Sequence, residues 1–122
     1  MDTVSIRIPA LPAYVQVVRL VAAGLASRLR FTLDDIEDLK IGVDELASYV
    51  IGTQGREGTL EIRFALLEDG LEVHGEGHLT SDSHIRTELS EFSRVILDGV
   101  ADSASLQQLD GVPTFELVKK RT

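Results

Sequence analysis

There is no cysteine among the 122 residues, which removes disulfide frameworks, thiolate metal sites and thiol catalysis at once. Cations are scarce: 12 lysines and arginines face 20 aspartates and glutamates, a formal charge of −8. Such a surface repels a phosphate backbone, because nucleic-acid affinity rests on a basic patch that releases counterions. The one basic cluster, Lys119-Lys120-Arg121, reads as a solubilising tail. No stretch approaches the roughly 20 apolar residues of a membrane span. Met1 to Ser5 lacks the basic start and apolar run of a signal peptide, so a cytoplasmic protein is expected. Internal repeats and low-complexity blocks are also missing. A chain of this length buries about two-thirds of its unfolded surface, and one domain over residues 1–122 is the expectation.

What is present is strong periodicity. Val4, Ile6 and Ile8 alternate with Thr3, Ser5 and Arg7, the period of a strand with one buried face. After Pro9 and Pro12, the positions Tyr14, Val17, Val18, Val21, Leu25 and Leu29 recur at helical spacing. Gly24 interrupts them and marks a point of close packing. Thr32 followed by Asp35 reads as a capping-box variant, and Asp34, Asp35, Glu37 and Asp38 crowd a solvated first turn that the helix dipole favours. The stripe Ile36, Leu39, Val43, Leu46, Ala47, Val50 carries this second helix to about Ile51, before Gly52 and a polar loop. Two alternating runs, Leu60 to Leu66 and Leu71 to Val73, flank Asp69-Gly70 and predict a hairpin. Residues 78–87 read as a loop or short lid. Leu89, Phe92, Val95, Ile96 and Val100 give a third helix, and Leu106, the Asp110-Gly111 turn, Phe115 and Leu117 give a closing pair of strands. The order β-α-α-β-β-α-β-β predicts an α/β chain of the α+β kind, a two-layer sandwich whose mixed, mostly antiparallel sheet gathers its helices on one face.

Four segments, Ile8-Pro9-Ala10-Leu11-Pro12, Arg19 to Ala23, Phe31 to Ile36 and Leu39-Lys40-Ile41-Gly42-Val43-Asp44-Glu45, resemble the anti-sigma factor serine kinases of bacteria. These belong to the GHKL group, with its Bergerat-type, histidine-kinase-like ATPase fold. The resemblance is specific over residues 8–51 and weak after 74. It implies Mg-ATP held by a helix motif Glu-x-x-x-Asn, an Asp-x-Gly at the end of the hairpin, and a Gly-rich segment before the third helix. The Asn amide would give magnesium one of its oxygen ligands, the Glu would act as base, and the Asp would accept from adenine.

Carried over residue by residue, Glu45 stands at the base position as a vestigial catalytic residue. Tyr49 stands where the Asn is expected, and a phenol is a bulky and poor neutral ligand. Gly75 replaces the Asp, Gly77 matches the motif glycine, and Leu89 to Ser93 contains no glycine. Ser48 is a substitute magnesium contact only if ATP is held in another way. Arg19 matches a helix-one arginine that the family sets against the sigma factor; its plainer reading is a surface side chain lying over its own helix. His74, His78 and His84 read as solvated rather than metal-binding, and no metal site is expected.

The expected function is therefore regulation of transcription by binding a sigma factor or a STAS anti-anti-sigma protein, with a degenerate ATP site and no cofactor. The alternative is an active serine kinase that phosphorylates a STAS partner with Mg-ATP. A third reading is a non-enzymatic domain that binds an unrelated partner. A homodimer through a sheet edge and the first helix is implied by the resemblance.

Overall fold

A computed structural model describes residues 2–80 and 85–122. The element order follows the periodicities: β1 (Thr3–Pro9), a 3₁₀ turn (Pro12–Tyr14), α1 (Val15–Arg28), α2 (Leu33–Ile51), β2 (Gly58–Leu66), β3 (Gly70–Leu79), α3 (Glu91–Val100), β4 (Ser103–Leu109) and β5 (Val112–Lys120). The strands form one sheet in the order β1-β2-β3-β5-β4. Every pairing is antiparallel, so the parallel component that a mixed sheet allows is not found. One sheet face carries Ile8, Leu60, Ile62, Phe64, Leu71, Val73, Phe115 and Leu117, all buried. The other carries Ser5, Arg63, His74, Glu116 and Ser105 in one continuous cross-strand row. An antiparallel sheet tolerates one wet face, and here the helices cover only the apolar one.

The two hairpins are made differently. Asp110 (φ 52°) and Gly111 (φ 80°) are both left-handed and form the two-residue turn between Leu109 and Val112, the primed turn that an Asp-Gly pair favours. Asp69-Gly70 behaves otherwise. Four residues separate the last pair, Leu66 and Leu71, the Leu67 amide donates to the Gly70 carbonyl at 2.9 Å, and Gly70 begins β3. There glycine is required by the backbone of Lys119 and Lys120, which leaves no room for a β-carbon.

α2 is the central helix. Thr32 caps it, its hydroxyl accepting from the Asp35 amide at 3.1 Å, and Leu39, Val43, Leu46, Ala47 and Val50 are buried as the stripe requires. Gly42 permits close packing on β5: a β-carbon there would stand 2.5 Å from Leu117 Cδ1. Gly24, by contrast, has nothing within 4 Å of such an atom, so the close packing expected there is not found. α1 is also rotated from the expected stripe. Its buried residues are Val15, Val18, Ala22 and Ala26, while Tyr14 and Val17 are exposed. Small alanines let α1 lie close to α2, and burial favours that ridge over the larger side chains beside it. In α3 the buried residues are Ser93 and Leu97; Phe92 and Val95, expected as helix-forming apolar positions, face solvent.

Two charged features depart from expectation. Asp35 is buried rather than solvated: its carboxylate accepts from the Thr122 hydroxyl at 2.6 Å and faces Lys119 Nζ at 3.6 Å. The basic cluster is not a loose tail. Lys119 is buried between Asp35 and Asp38, and the Arg121 guanidinium donates to the Leu29 carbonyl at 2.9 Å. The strand β5 thereby pins the N-terminal end of α2.

Candidate functional site

The motif positions meet where the C-terminal half of α2 faces the start of α3. α2 presents Glu45 and Tyr49 one turn apart on one side, because residues four apart share a helix face. α3 begins at the N-cap Ser90, whose hydroxyl accepts from the Ser93 amide at 3.1 Å. The Tyr49 hydroxyl accepts from the Ser90 amide at 2.9 Å and lies 2.9 Å from the Ser93 hydroxyl. The Ser93 hydroxyl donates in turn to Glu45 Oε1 at 2.6 Å. Four side chains from two helices thus close one hydrogen-bonded knot, and Ser93 is buried within it. Burial works against ionising the Tyr49 phenol, but the side chain and backbone of Ser90, with Ser93 and the Arg86 charge, outweigh it and hold Tyr49 below its ordinary value.

Gly75 lies on β3 opposite Phe115. A β-carbon at Gly75 would stand 2.3 Å from Phe115 Cε2 and Cζ, so the position at which the resemblance puts an adenine-reading carboxylate is crowded by an aromatic side chain from the neighbouring strand. Gly77 faces Val50 of α2 and Pro113, with Val50 Cγ1 2.6 Å from where a β-carbon would stand; its small size serves helix-to-sheet packing. These residues do not offer magnesium an amide oxygen or adenine an acceptor, so the donor set that the resemblance implies for Mg-ATP is not reproduced.

Beside the knot lies a shallow cavity of about 310 Å³ lined by Ser48, Tyr49, Gly52, Thr53, Arg86 and Ser90, at the small end of ligand pockets. Ser48 does not converge on Glu45's carboxylate; its hydroxyl donates to the Glu45 carbonyl at 2.9 Å. Arg19 stands apart from the cavity. Its Nε donates to Asp44 Oδ1 at 2.6 Å and its Nη1 to Gln16 at 2.7 Å, so it ties α1 to α2 with its side chain about one-third exposed.

His74 is not solvated. Its side chain is 15% exposed and lies between Glu76 and Glu116, at 3.1 and 3.2 Å, and this contact, with His78 nearby, holds the Glu76 carboxyl below its usual range against the effect of burial. His78 lies 3.4 Å from Glu76, and His84 falls outside the described residues. Among the described residues no group of three or more acidic or histidine side chains is placed to hold a metal ion.

Five antiparallel strands and three helices make a two-layer α+β fold, with Glu45, Tyr49, Ser90 and Ser93 joined beside a small cavity. In sequence the chain resembles the serine-protein kinases named RsbW. It is 43% identical over 76 residues to the one from Bacillus velezensis, covering 60% of this chain and 48% of that protein. For Bacillus subtilis the identity is 41% over 75 residues, covering 59% and 47%, and for Halalkalibacterium halodurans 42% over 73 residues, covering 59% and 45%. The chain spans about half the length of the curated relatives it matches. A crystal structure of the RsbU and RsbW domains of a Mycobacterium tuberculosis protein superposes with a TM-score of 0.74 at 13% identity, over 99% of this chain and 32% of that one, a likeness of fold. No family model matches the chain. The resemblance to the anti-sigma factor serine kinases is thus carried by relatives named as serine-protein kinases and by a shared fold. No helix among the described residues is long and apolar enough to cross a membrane.

The resemblance pointed to Glu45 and Tyr49 as candidates; Ser90, Ser93, Phe115 and Arg86 join them only in the structure. Ser90 was accessible: a serine just before an amphipathic run is an N-cap signature. Phe115 was not, because only the β3–β5 register brings it to Gly75.

Proposed function

We propose that this chain is one domain that regulates transcription by binding a sigma factor or a STAS anti-anti-sigma protein in the cytoplasm, without a functioning ATP site. The observation that supports it most is the fate of Tyr49: at the position of magnesium's amide ligand, its hydroxyl is engaged by Ser90 and Ser93 of α3. Phe115 against Gly75 supports the same reading at the adenine end. Losing a buried hydrogen-bonding partner costs about 1 to 3 kcal/mol, so losing both anchors weakens nucleotide binding by roughly a hundredfold or more. Phosphoryl transfer needs positioning and metal electrostatics, which Glu45 alone does not supply. Arg19 is the partner-facing residue in this reading, and Asp44 holds its guanidinium on the outer surface of α1 and α2. The test is calorimetric titration with the sigma factor and STAS protein of the same genome, with and without Mg-ATP. Binding that is tight, indifferent to nucleotide and weakened by Arg19→Ala is expected; no affinity for either partner would remove the reading.

One observation favours the kinase alternative: Glu45 is retained beside a cavity that holds one cation, Arg86. That reading requires transfer of the γ-phosphoryl group to a serine of a STAS partner at millimolar Mg-ATP, lost in Glu45→Ala. Its acceptor hydroxyl would have to displace Ser93 from Glu45.

A further inference from the structure

The two free edges of the sheet are built differently. β1 carries Arg7 and finishes on Pro9, two of the guards that stop an edge from pairing with another chain. β4 has no charge and no proline over Ser103–Leu109, and it runs in unbroken register with β5.

The hairpin fixes which main-chain groups of β4 face outward. A two-residue primed turn makes its flanking pair, Leu109 and Val112, a hydrogen-bonded one. Alternation then places Gln108, Leu106 and Ala104 in non-hydrogen-bonded pairs, so their N–H and C=O groups point away from β5. Pro113 stands opposite Gln108, where the ladder needs no N–H from it. The Ala104 carbonyl accepts from Arg94 of α3 at 3.3 Å. Among the described residues, the outward groups of Leu106 and Gln108 have no further backbone partner. The same edge ends at a cavity of about 410 Å³, to which Gln108, Val112, Pro113, Leu79 and Ile85 contribute. An open main-chain edge supplies affinity in strand addition, and a pocket for one side chain supplies specificity.

We propose that the β4 edge is a strand-addition site for an extended segment of another protein. A second copy of this chain fits poorly. Full overlap of two β4 edges about Leu106 sets Asp102 against Asp110 at both ends, and like charges directly opposite are destabilising. The fitting segment has an uncharged, β-branched centre that pairs with Leu106 and Gln108, one valine or threonine directed into the cavity, and a lysine or arginine to meet Asp110. The chain's charge of −8 favours the same sign in the partner. This site is separate from Arg19 and from the Glu45–Tyr49 knot.

The probe is a set of synthetic heptapeptides alternating valine and threonine with a terminal lysine, titrated into the full chain and followed by backbone amide NMR. Shifts confined to Ala104–Leu109 and the rim of the cavity, with saturation below millimolar peptide, are expected. Methylating alternate peptide nitrogens, or introducing Gln108→Pro, should weaken binding at least tenfold. Gln108→Ala keeps the main-chain donor and should bind within about twofold of wild type, which separates loss of the edge from loss of the fold. No shifts at millimolar peptide, shifts elsewhere, or equal binding by the methylated peptides would overturn the proposal. So would a concentration-dependent dimer abolished by Gln108→Pro, since the occupant would then be a second copy.

Discussion

The two ends of α2 are fastened by opposite chemistry. At the N-terminal end, Asp35, Asp38, Lys119 and Thr122 form a partly buried charged clasp onto β5. Toward the other end, Glu45 and Tyr49 hold α3 through two serines, with one carboxylate and no cation within the knot. At the first end one ammonium is shared by two carboxylates, so the clasp ties α2 to β5. At the second, in the resemblance's terms, a carboxylate poised for a substrate hydroxyl already has one from its own chain. Through these contacts α2 seats α3.

The largest effect that can break this comparison lies at the sheet end of the site. Gly75→Asp places a carboxylate where the resemblance implies one but drives it against the Phe115 ring, and overpacking plus a buried charge should destabilise the fold by about 3 kcal/mol or more; denaturant unfolding would measure it. Tolerance of that change without loss of stability would mean that the space is available to a ligand. Next comes the clasp. Lys119→Met removes the cation from a pair whose side chains are 10% and 7% exposed, and breaking such a pair costs about 3 kcal/mol. Tyr49→Phe, which leaves the Ser90 amide without its acceptor, should cost about 1 to 2 kcal/mol.

The smallest effect sharpens the contrast through pH. The Thr122 hydroxyl, opposed by burial and aided by the Thr122 amide, Lys119 and Thr32, holds the Asp35 carboxyl below its ordinary value. A group depressed on folding contributes stability that is fully present above its unfolded value, about 3.9, and is lost as pH falls through the lower folded one. Stability should therefore decline below about pH 4, and Asp35→Asn should flatten that decline. Tyr49→Phe should leave the Asp35 contribution unchanged, because Tyr49 lies toward the other end of α2 and touches none of the groups around Asp35.

Element order and α2 were legible because they rest on local signals: alternation, an N-cap threonine and an uninterrupted helical stripe. The rotations of α1 and α3 were not. Val17 and Phe92 are as apolar as the residues that are buried, and the choice of Ala22 and Ser93 instead depends on what α2 presents across the interface. Lys119 read as a tail because its partner is 84 positions away. Within the candidate site, Glu45 and Tyr49 were singled out by the resemblance alone, whereas the approach of Phe115 to Gly75 is set by strand register.

Titration of magnesium with a non-hydrolysable ATP analogue into the chain is the direct test of a closed nucleotide site. No saturable heat is expected up to millimolar analogue. Saturable micromolar binding that depends on magnesium and is lost in Glu45→Ala would contradict it.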